Sequence, residues 1–265
     1  MPFSEVFHRG LRPDQEKPNS FDALVKVNPG DVIEMDTIIL KDGTLVMAHP
    51  KDLGKTIEEL EGLTQAEFQQ LQQPRSHSES EKMPLLKESL FQLHDRGAKL
   101  YLELKASTPE KIILEARAVV QELDRLEREH AFPDEQFLKN GLILHAFSVE
   151  GTAALVQELQ QHQLNIPVFL QWNKSPEFAK EMKISETGIE HAAQITTTND
   201  WTEKGMVIAK NIECSGIAMH ISVLINNPEY IQKAHEYGLQ VAGGGPIEPD
   251  KKEELLKAGL DVYVY

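Results

Sequence analysis

The chain has 265 residues, 40% of them hydrophobic, and a formal net charge of −15. That length suffices for one α/β barrel, which takes roughly 250 residues, while the acidic balance repels polyanions and disfavours nucleic acid or anionic membrane surfaces as partners. The lone Cys214 cannot form an internal disulfide, no apolar run nears the roughly 18 residues of a membrane span, and the polar start MPFSEVFHRG has no apolar signal core, so a reducing, cytoplasmic location is expected.

Short β-rich runs alternate with longer helical patterns, the signature of parallel βαβ construction. Strands are expected at Ser4–His8, Val32–Asp36, Lys99–Lys105, Leu142–Phe147, Pro167–Gln171, Gly216–Ile221, Leu239–Ala242 and Asp261–Val264. The clearest helix is Pro109–His130, where Ile112, Ala116, Val119, Val120 and Leu123 recur at helical spacing. Thr108 and Pro109 supply its N-cap and first position. Further helices are expected at Gly151–His162, Pro228–Tyr237 and Pro249–Ala258. The fold class is therefore α/β, a TIM barrel forming one domain over residues 1–265. Two segments depart from a plain barrel. Residues 50–98 are too long for a loop plus one helix and contain a Ser-rich break at Ser76–Lys82, so they read as an excursion folded onto the barrel mouth. The second is 172–213, where ITTTND resists assignment.

Strand periodicity then sorts the charged residues. In KLYLELK, Leu100, Leu102 and Leu104 fall on one face, and Tyr101, Glu103 and Lys105 on the other. In DVIEMD, Glu34 and Asp36 likewise share a face. Barrel strands normally point apolar residues inward, so carboxylates there are costly unless something binds them. Glu34, Asp36 and Glu103 converging at the C-terminal mouth suit a hard divalent cation with oxygen ligands, Mg²⁺ or Ca²⁺. Without one they would repel each other, and at least one would hold a proton. Lys105 adds a positive charge for an anionic substrate oxygen.

The first strand ends in FHRG, which places His8 and Arg9 at the mouth, with Gly10 allowing a tight exit. KDGTLVMAHP brings a second histidine, His49, just after Asp36 through the turn Lys41-Asp42-Gly43. An imidazole serves as acid or base near pH 7, and a guanidinium suits phosphate oxygens. Two histidines, three carboxylates, Arg9 and Lys105 make a phosphodiester-cleaving set. His94, His130, His162 and His235 read as structural or solvated. Gly243-Gly244-Gly245-Pro246 reads as a loop leaving the seventh strand, with exposed backbone N–H groups for a phosphate as its functional alternative. Trp172 is placed to line the mouth and Trp201 to pack.

FHRG, IEMD, KDGTLVMAH and LYLELK, in this order and spacing, resemble the glycerophosphodiester phosphodiesterase family, whose motifs read H-R-G, E-x-D, a D-G turn leading to H-D, and E-x-K. The resemblance implies a TIM barrel with a small insertion after the second-strand hairpin, and hydrolysis of a small-molecule glycerophosphodiester to an alcohol and glycerol 3-phosphate. It implies His8 and His49 as the acid/base pair, Glu34, Asp36 and Glu103 as metal ligands, and Arg9 and Lys105 as phosphate contacts. Three positions depart from the pattern. Pro18-Asn19-Ser20 stands where Glu-Asn-Thr is usual, Pro50 follows His49 in place of Asp, and VAGGGPIEP replaces a Trp-Thr-Val near the seventh strand. The alternatives are phospholipase- or lyase-type cleavage of a larger phosphodiester to a cyclic phosphate, and a noncatalytic phosphate-binding barrel.

Overall fold

The computed structural model of the protein describes residues 6–10, 18–72, 82–134, 136–172 and 200–264. Its strands are β1 Val6–Phe7, β2 Val32–Ile39, β3 Leu45–Met47, β4 Lys99–Leu104, β5 Leu142–Ala146, β6 Val168–Trp172, β7 Gly216–His220, β8 Gln240–Gly244 and β9 Val262–Val264. They form one sheet in the order β1-β9-β8-β7-β6-β5-β4-β2-β3, and β1 pairs back onto β2. Val6 sits between Val32 and Val264, both in parallel register, which closes an eight-stranded parallel barrel. β3 stands outside it, antiparallel on the end of β2. Helices alternate with the strands, as a parallel sheet requires.

The barrel interior is filled by Val6, Val32, Tyr101, Ile143, Phe169, Ala218, Ala242 and Val262, one buried residue from each barrel strand. Tyr101 and Phe169 meet edge to face with ring centroids 6.1 Å apart, and the short side chains of Ala218 and Ala242 make room for such rings. Outside the barrel, Leu100, Leu102 and Leu104 pack in one cluster with Ile112, Ala116, Val119, Val120 and Leu123 of the helix Pro109–Arg128. Thr108 caps that helix by accepting from the Lys111 N–H.

Three differences from the expected elements have local causes. β2 continues to Ile39 because Thr37, Ile38 and Ile39 pair with Met47, Val46 and Leu45 of β3. The helix after β5 begins at Val149, two residues early, because the Ser148 hydroxyl accepts from the Gly151 N–H. β8 runs through Gly243 and Gly244, so these belong to the sheet and not to a loop. A Cβ on Gly243 would stand 2.6 Å from Ile221 Cδ1, so the bare backbone is what lets the helix Ile221–Asn226 pack this close. The expected start of the first strand at Ser4, and all of Ser76–Lys82 except Lys82, lie outside the described residues, as does ITTTND up to residue 199. Asp200 then caps the helix Trp201–Asn211.

Between β3 and β4 the chain forms the helices Pro50–Leu53, Ile57–Glu61, Gln65–Gln72 and Leu86–Arg96. Leu53, Leu60 and Phe68 from the first three share an apolar cluster with Ile38 and Val46 of the hairpin. The buried Glu61 carboxylate accepts from the Ser107 N–H at 2.9 Å, the Ser107 hydroxyl at 2.5 Å and Lys111 Nζ at 2.5 Å, tying this segment to the loop that follows Lys105. Among the described residues no helix is long and apolar enough to cross a membrane.

Phe169 is fully buried in the interior layer, so Phe169→Ala should cost about 3–5 kcal/mol of stability. Urea unfolding checks this, and an unchanged midpoint would mean the layer is not packed as described.

Candidate active site

Two residues along each strand from the apolar layer, the inward positions change character. Val6 is followed by His8, Val32 by Glu34, Tyr101 by Glu103, Ile143 by His145 and Ala218 by His220. These five residues, with Lys105, Phe147, Trp172 and Pro246, are among those lining one cavity of about 400 Å³. Period-two strand geometry thus builds a floor of apolar side chains beneath a polar layer at the C-terminal end of the barrel.

The three carboxylates predicted from the strands all lie at this end of the barrel, Glu34 and Glu103 on the cavity and Asp36 behind it. Glu34, Asp36 and Glu103 are all buried, and Asp36 lies opposite Glu103 in the β2–β4 register. Lys105 Nζ stands 3.2 Å from Asp36 Oδ1 and is hydrogen-bonded to Glu103. Burial pushes the Glu34 carboxyl well above the usual range, and the charges of Asp36 and Glu103 push it further. Burial likewise raises Glu103 against the pull of Lys105. Asp36 goes the other way: burial would raise it, but Lys105, then His49 and Arg9, together hold it below the ordinary carboxylate range. Burial also works against the Lys105 cation, yet Glu103 and Asp36 raise its pKa, so it stays charged.

Arg9 is held tightly. Its backbone is left-handed, with φ +54°, a conformation that a residue with a Cβ adopts at a cost. This turns its N–H onto Glu34 Oε2 at 2.8 Å. Its guanidinium reaches Asp52 Oδ1 at 2.9 Å and lies 3.4 Å from Asp36 Oδ2. Neither Arg9 nor Asp36 lines the cavity; they form its support. Two further residues of this support carry no strand signal. The Asn19 amide donates to Asp36 Oδ2 at 3.1 Å and Asp52 Oδ2 at 3.2 Å, while its oxygen accepts from the Asp36 N–H at 3.2 Å. Asn19 is fully buried and also left-handed, with φ +51°. Asp52 lies in the first helix of the excursion, three residues after His49.

The histidines occupy different stations. His8 lines the cavity with Nε2 3.8 Å from Glu34 Oε2, and its pKa is lowered, chiefly by burial and then by Arg9. His49 does not line it. It caps the helix Pro50–Leu53, its Nδ1 accepting from the Lys51 N–H at 3.2 Å, so Pro50 fills a first helical position where it needs no N–H. That bond leaves the neutral ring's hydrogen on Nε2. Burial lowers its pKa to about 4. His145, unforeseen from the sequence, lies opposite Glu103 in the β4–β5 register. Its ring stacks on Tyr101 at 4.2 Å between centroids, and burial lowers its pKa to about 3. One donor atom each from Glu34, Glu103 and His145 fall within 4.8 Å of one another, a group able to hold a metal ion. Glu34 Oε1 and both His145 nitrogens are buried without a hydrogen-bond partner, the condition a ligated cation would relieve. His94, His130, His162 and His235 do not line the cavity; His162 pairs with Asp124 and His235 with Asp261.

Gln171 apart, the remaining side chains of the wall are apolar. Trp172 donates its indole N–H to the Trp201 carbonyl at 2.9 Å, with ring centroids 4.7 Å apart, so it offers the cavity only ring surface. Gly244, Gly245 and Pro246 line the opposite strands' mouth. The Gly245 N–H is already bonded to the Val264 carbonyl at 3.0 Å, so it is not an anion donor.

Asn19→Ala would strip the Asp36 carboxylate and N–H of partners, and about 1–3 kcal/mol of stability should go with them; equal urea midpoints would count against that role. A second outcome concerns pH. Below the ordinary histidine value the unfolded chain takes up a proton at His49 that the folded chain refuses until about pH 4. Stability is therefore lost as pH falls through this window. H49Q removes the contribution, so its melting temperature should fall less than the wild type's between pH 7 and pH 5.

Comparison with known proteins fits this geometry. Residues 8–265 match the model of the glycerophosphoryl diester phosphodiesterase family. Among solved structures, a glycerophosphodiester phosphodiesterase from Parabacteroides distasonis superposes with a TM-score of 0.68 at 18% identity, over 99% of this chain and 92% of that one. A phosphodiesterase from Oleispira antarctica, solved with the product sn-glycerol-3-phosphate, gives 0.60 at 15% identity over 99% and 92%. The Thermotoga maritima glycerophosphodiester phosphodiesterase gives 0.59 at 13% identity over 99% and 93%. No curated protein matches the chain. At these identities the structures speak for the fold alone, whereas the family match runs from the first cavity histidine to the last residue: the chain belongs to the glycerophosphoryl diester phosphodiesterase family.

Proposed function

We propose that this protein hydrolyses glycerophosphodiesters to an alcohol and glycerol 3-phosphate with a divalent cation at the polar layer. The observation that carries the reading is the meeting of Glu34, Glu103, Lys105 and His8 on one cavity. Glu34, Asp36 and Glu103 are the expected carboxylate ligands, with Mg²⁺ or Ca²⁺ the ions that oxygen donors alone would favour. When bound, such a cation neutralises charge on the phosphoryl oxygens and orients the nucleophile.

This chain's own residues do the rest. Lys105, kept charged by Glu103 and Asp36, meets a phosphate oxygen from the cavity wall. His8 is neutral near pH 7, since its pKa is lowered, and acts as the base toward the nucleophile. His49 is the expected donor to the leaving oxygen; it stands outside the cavity and is neutral near pH 7, so this role needs its ring to turn toward the leaving group and to take up a proton once the phosphate is bound. Arg9 aligns Glu34 through its backbone N–H and holds Asp36 and Asp52 with its guanidinium; contact with phosphate would require it to release one of them. The apolar face of Trp172 and Phe147 has no partner for the two hydroxyls of glycerol, so the glycerol end belongs at the polar layer and the alcohol along that wall. The same wall favours, as a second reading, cleavage of a larger phosphodiester to a cyclic phosphate.

The test is glycerol 3-phosphate release from glycerophosphocholine and glycerophosphoethanolamine, using metal-stripped protein with and without added divalent cation. Product should require the cation and fall about 10²–10⁴-fold in His8→Ala. Glu103→Ala should abolish cation-dependent turnover while keeping the fold. A cyclic phosphate would select the second reading, and no product from any diester would leave a phosphate-binding barrel.

A further inference from the structure

His145 bears on which cation the site takes. It is 2% exposed, its ring plane is fixed by stacking on Tyr101, and neither nitrogen meets a partner in hydrogen-bond geometry, although the Gln171 side chain approaches the ring and offsets part of the effect of burial. A buried imidazole with neither nitrogen paired is costly, yet one nitrogen lies within 4.8 Å of a carboxylate oxygen from each of Glu34 and Glu103. Glu34 Oε1 in the same group is also buried and unpartnered. Asp36 stands differently: its Oδ2 accepts from Asn19 and lies 3.4 Å from the Arg9 guanidinium, and its Oδ1, though without a hydrogen bond, lies 3.2 Å from the Lys105 cation.

Two carboxylates with one neutral imidazole are not the donor set of a hard cation. Mg²⁺ and Ca²⁺ take oxygen almost exclusively, whereas imidazole nitrogen suits zinc, copper, iron or nickel. We propose that His145 is a metal ligand in this protein and that, with Glu34 and Glu103, it makes the site selective for a first-row transition metal over Mg²⁺ or Ca²⁺. The inference rests on the phosphodiesterase reading only in requiring a divalent cation at the polar layer. Nothing about His145 follows from the four family motifs, since the residue falls on β5, outside all of them.

The test uses the full-length, metal-stripped protein and does not depend on turnover. Calorimetric titrations with Zn²⁺ and with Mg²⁺ compare the wild type with H145Q, which offers an amide oxygen in place of the nitrogen, and with H145N as a second variant. Thermal melting of the metal-free proteins checks that both variants fold. Zn²⁺ affinity should drop about tenfold or more in the variants, while Mg²⁺ affinity should hold or rise. In the Mn²⁺-loaded wild type, electron spin echo spectra should carry the modulation of a directly bound nitrogen, absent in H145Q and retained in H8Q. Equal Zn²⁺ affinity in wild type and H145Q, or bound Mn²⁺ without nitrogen modulation, would overturn the proposal. A bound nitrogen without any glycerol 3-phosphate produced would keep the ligation and sink the substrate reading; Mg²⁺-supported product without the nitrogen signal would do the reverse.

Discussion

Mutual repulsion among Glu34, Asp36 and Glu103, buried together above a floor of apolar side chains, is the constraint that organises this end of the barrel. Three carboxylates so placed cannot all be charged without compensation. Lys105 supplies part of it by reaching both Glu103 and Asp36, and Arg9 supplies more through Asp36 and Asp52. What those two cations leave uncovered is Glu34, which is pushed toward its protonated form. A site with this residual demand for positive charge is ready for a divalent ion and, through it, for an anionic substrate.

The rest of the structure keeps that cluster together. The interior layer fixes the floor, and the strand period then aims the next inward residue of each strand at a common point. The loops do the complementary work. Left-handed backbone at Arg9 and Asn19 turns an N–H and an amide onto the carboxylates, and the helices after β3 bring Asp52 to Arg9 and anchor the loop beyond Lys105 through Glu61. Strain at two non-glycine residues is tolerable because three or more hydrogen bonds hold each segment.

Much of this was legible in the sequence because it is strand chemistry. Alternation in KLYLELK and DVIEMD placed Glu34, Asp36, Glu103 and Lys105 on the correct face, and the barrel strands fell within a few residues of their expected bounds. The same period also marks His145, a polar residue two positions beyond the inward Ile143 in LILHAFS. Asn19 and Asp52 had no such signal. They reach the site from loop and helix segments, whose approach depends on tertiary contacts that no periodicity encodes. Pro50, which stands after His49 in place of the motif's Asp, starts in the fold a helix that His49 caps and that carries Asp52, so a carboxylate comes from three positions on rather than one. The glycines after Ala242 read as a loop because glycine usually marks one, and only the close packing against Ile221 explains their place in a strand.

The account turns on one coupling: phosphate should bind here because a cation offsets the carboxylates. Calorimetric titration of the metal-stripped protein with glycerol 3-phosphate, alone and then with a saturating divalent cation, measures it directly. Binding that appears or tightens strongly only with the cation is the expected result. Equal affinity with and without it would mean that Lys105 and its neighbours bind phosphate unaided, and that the carboxylate cluster serves some other purpose.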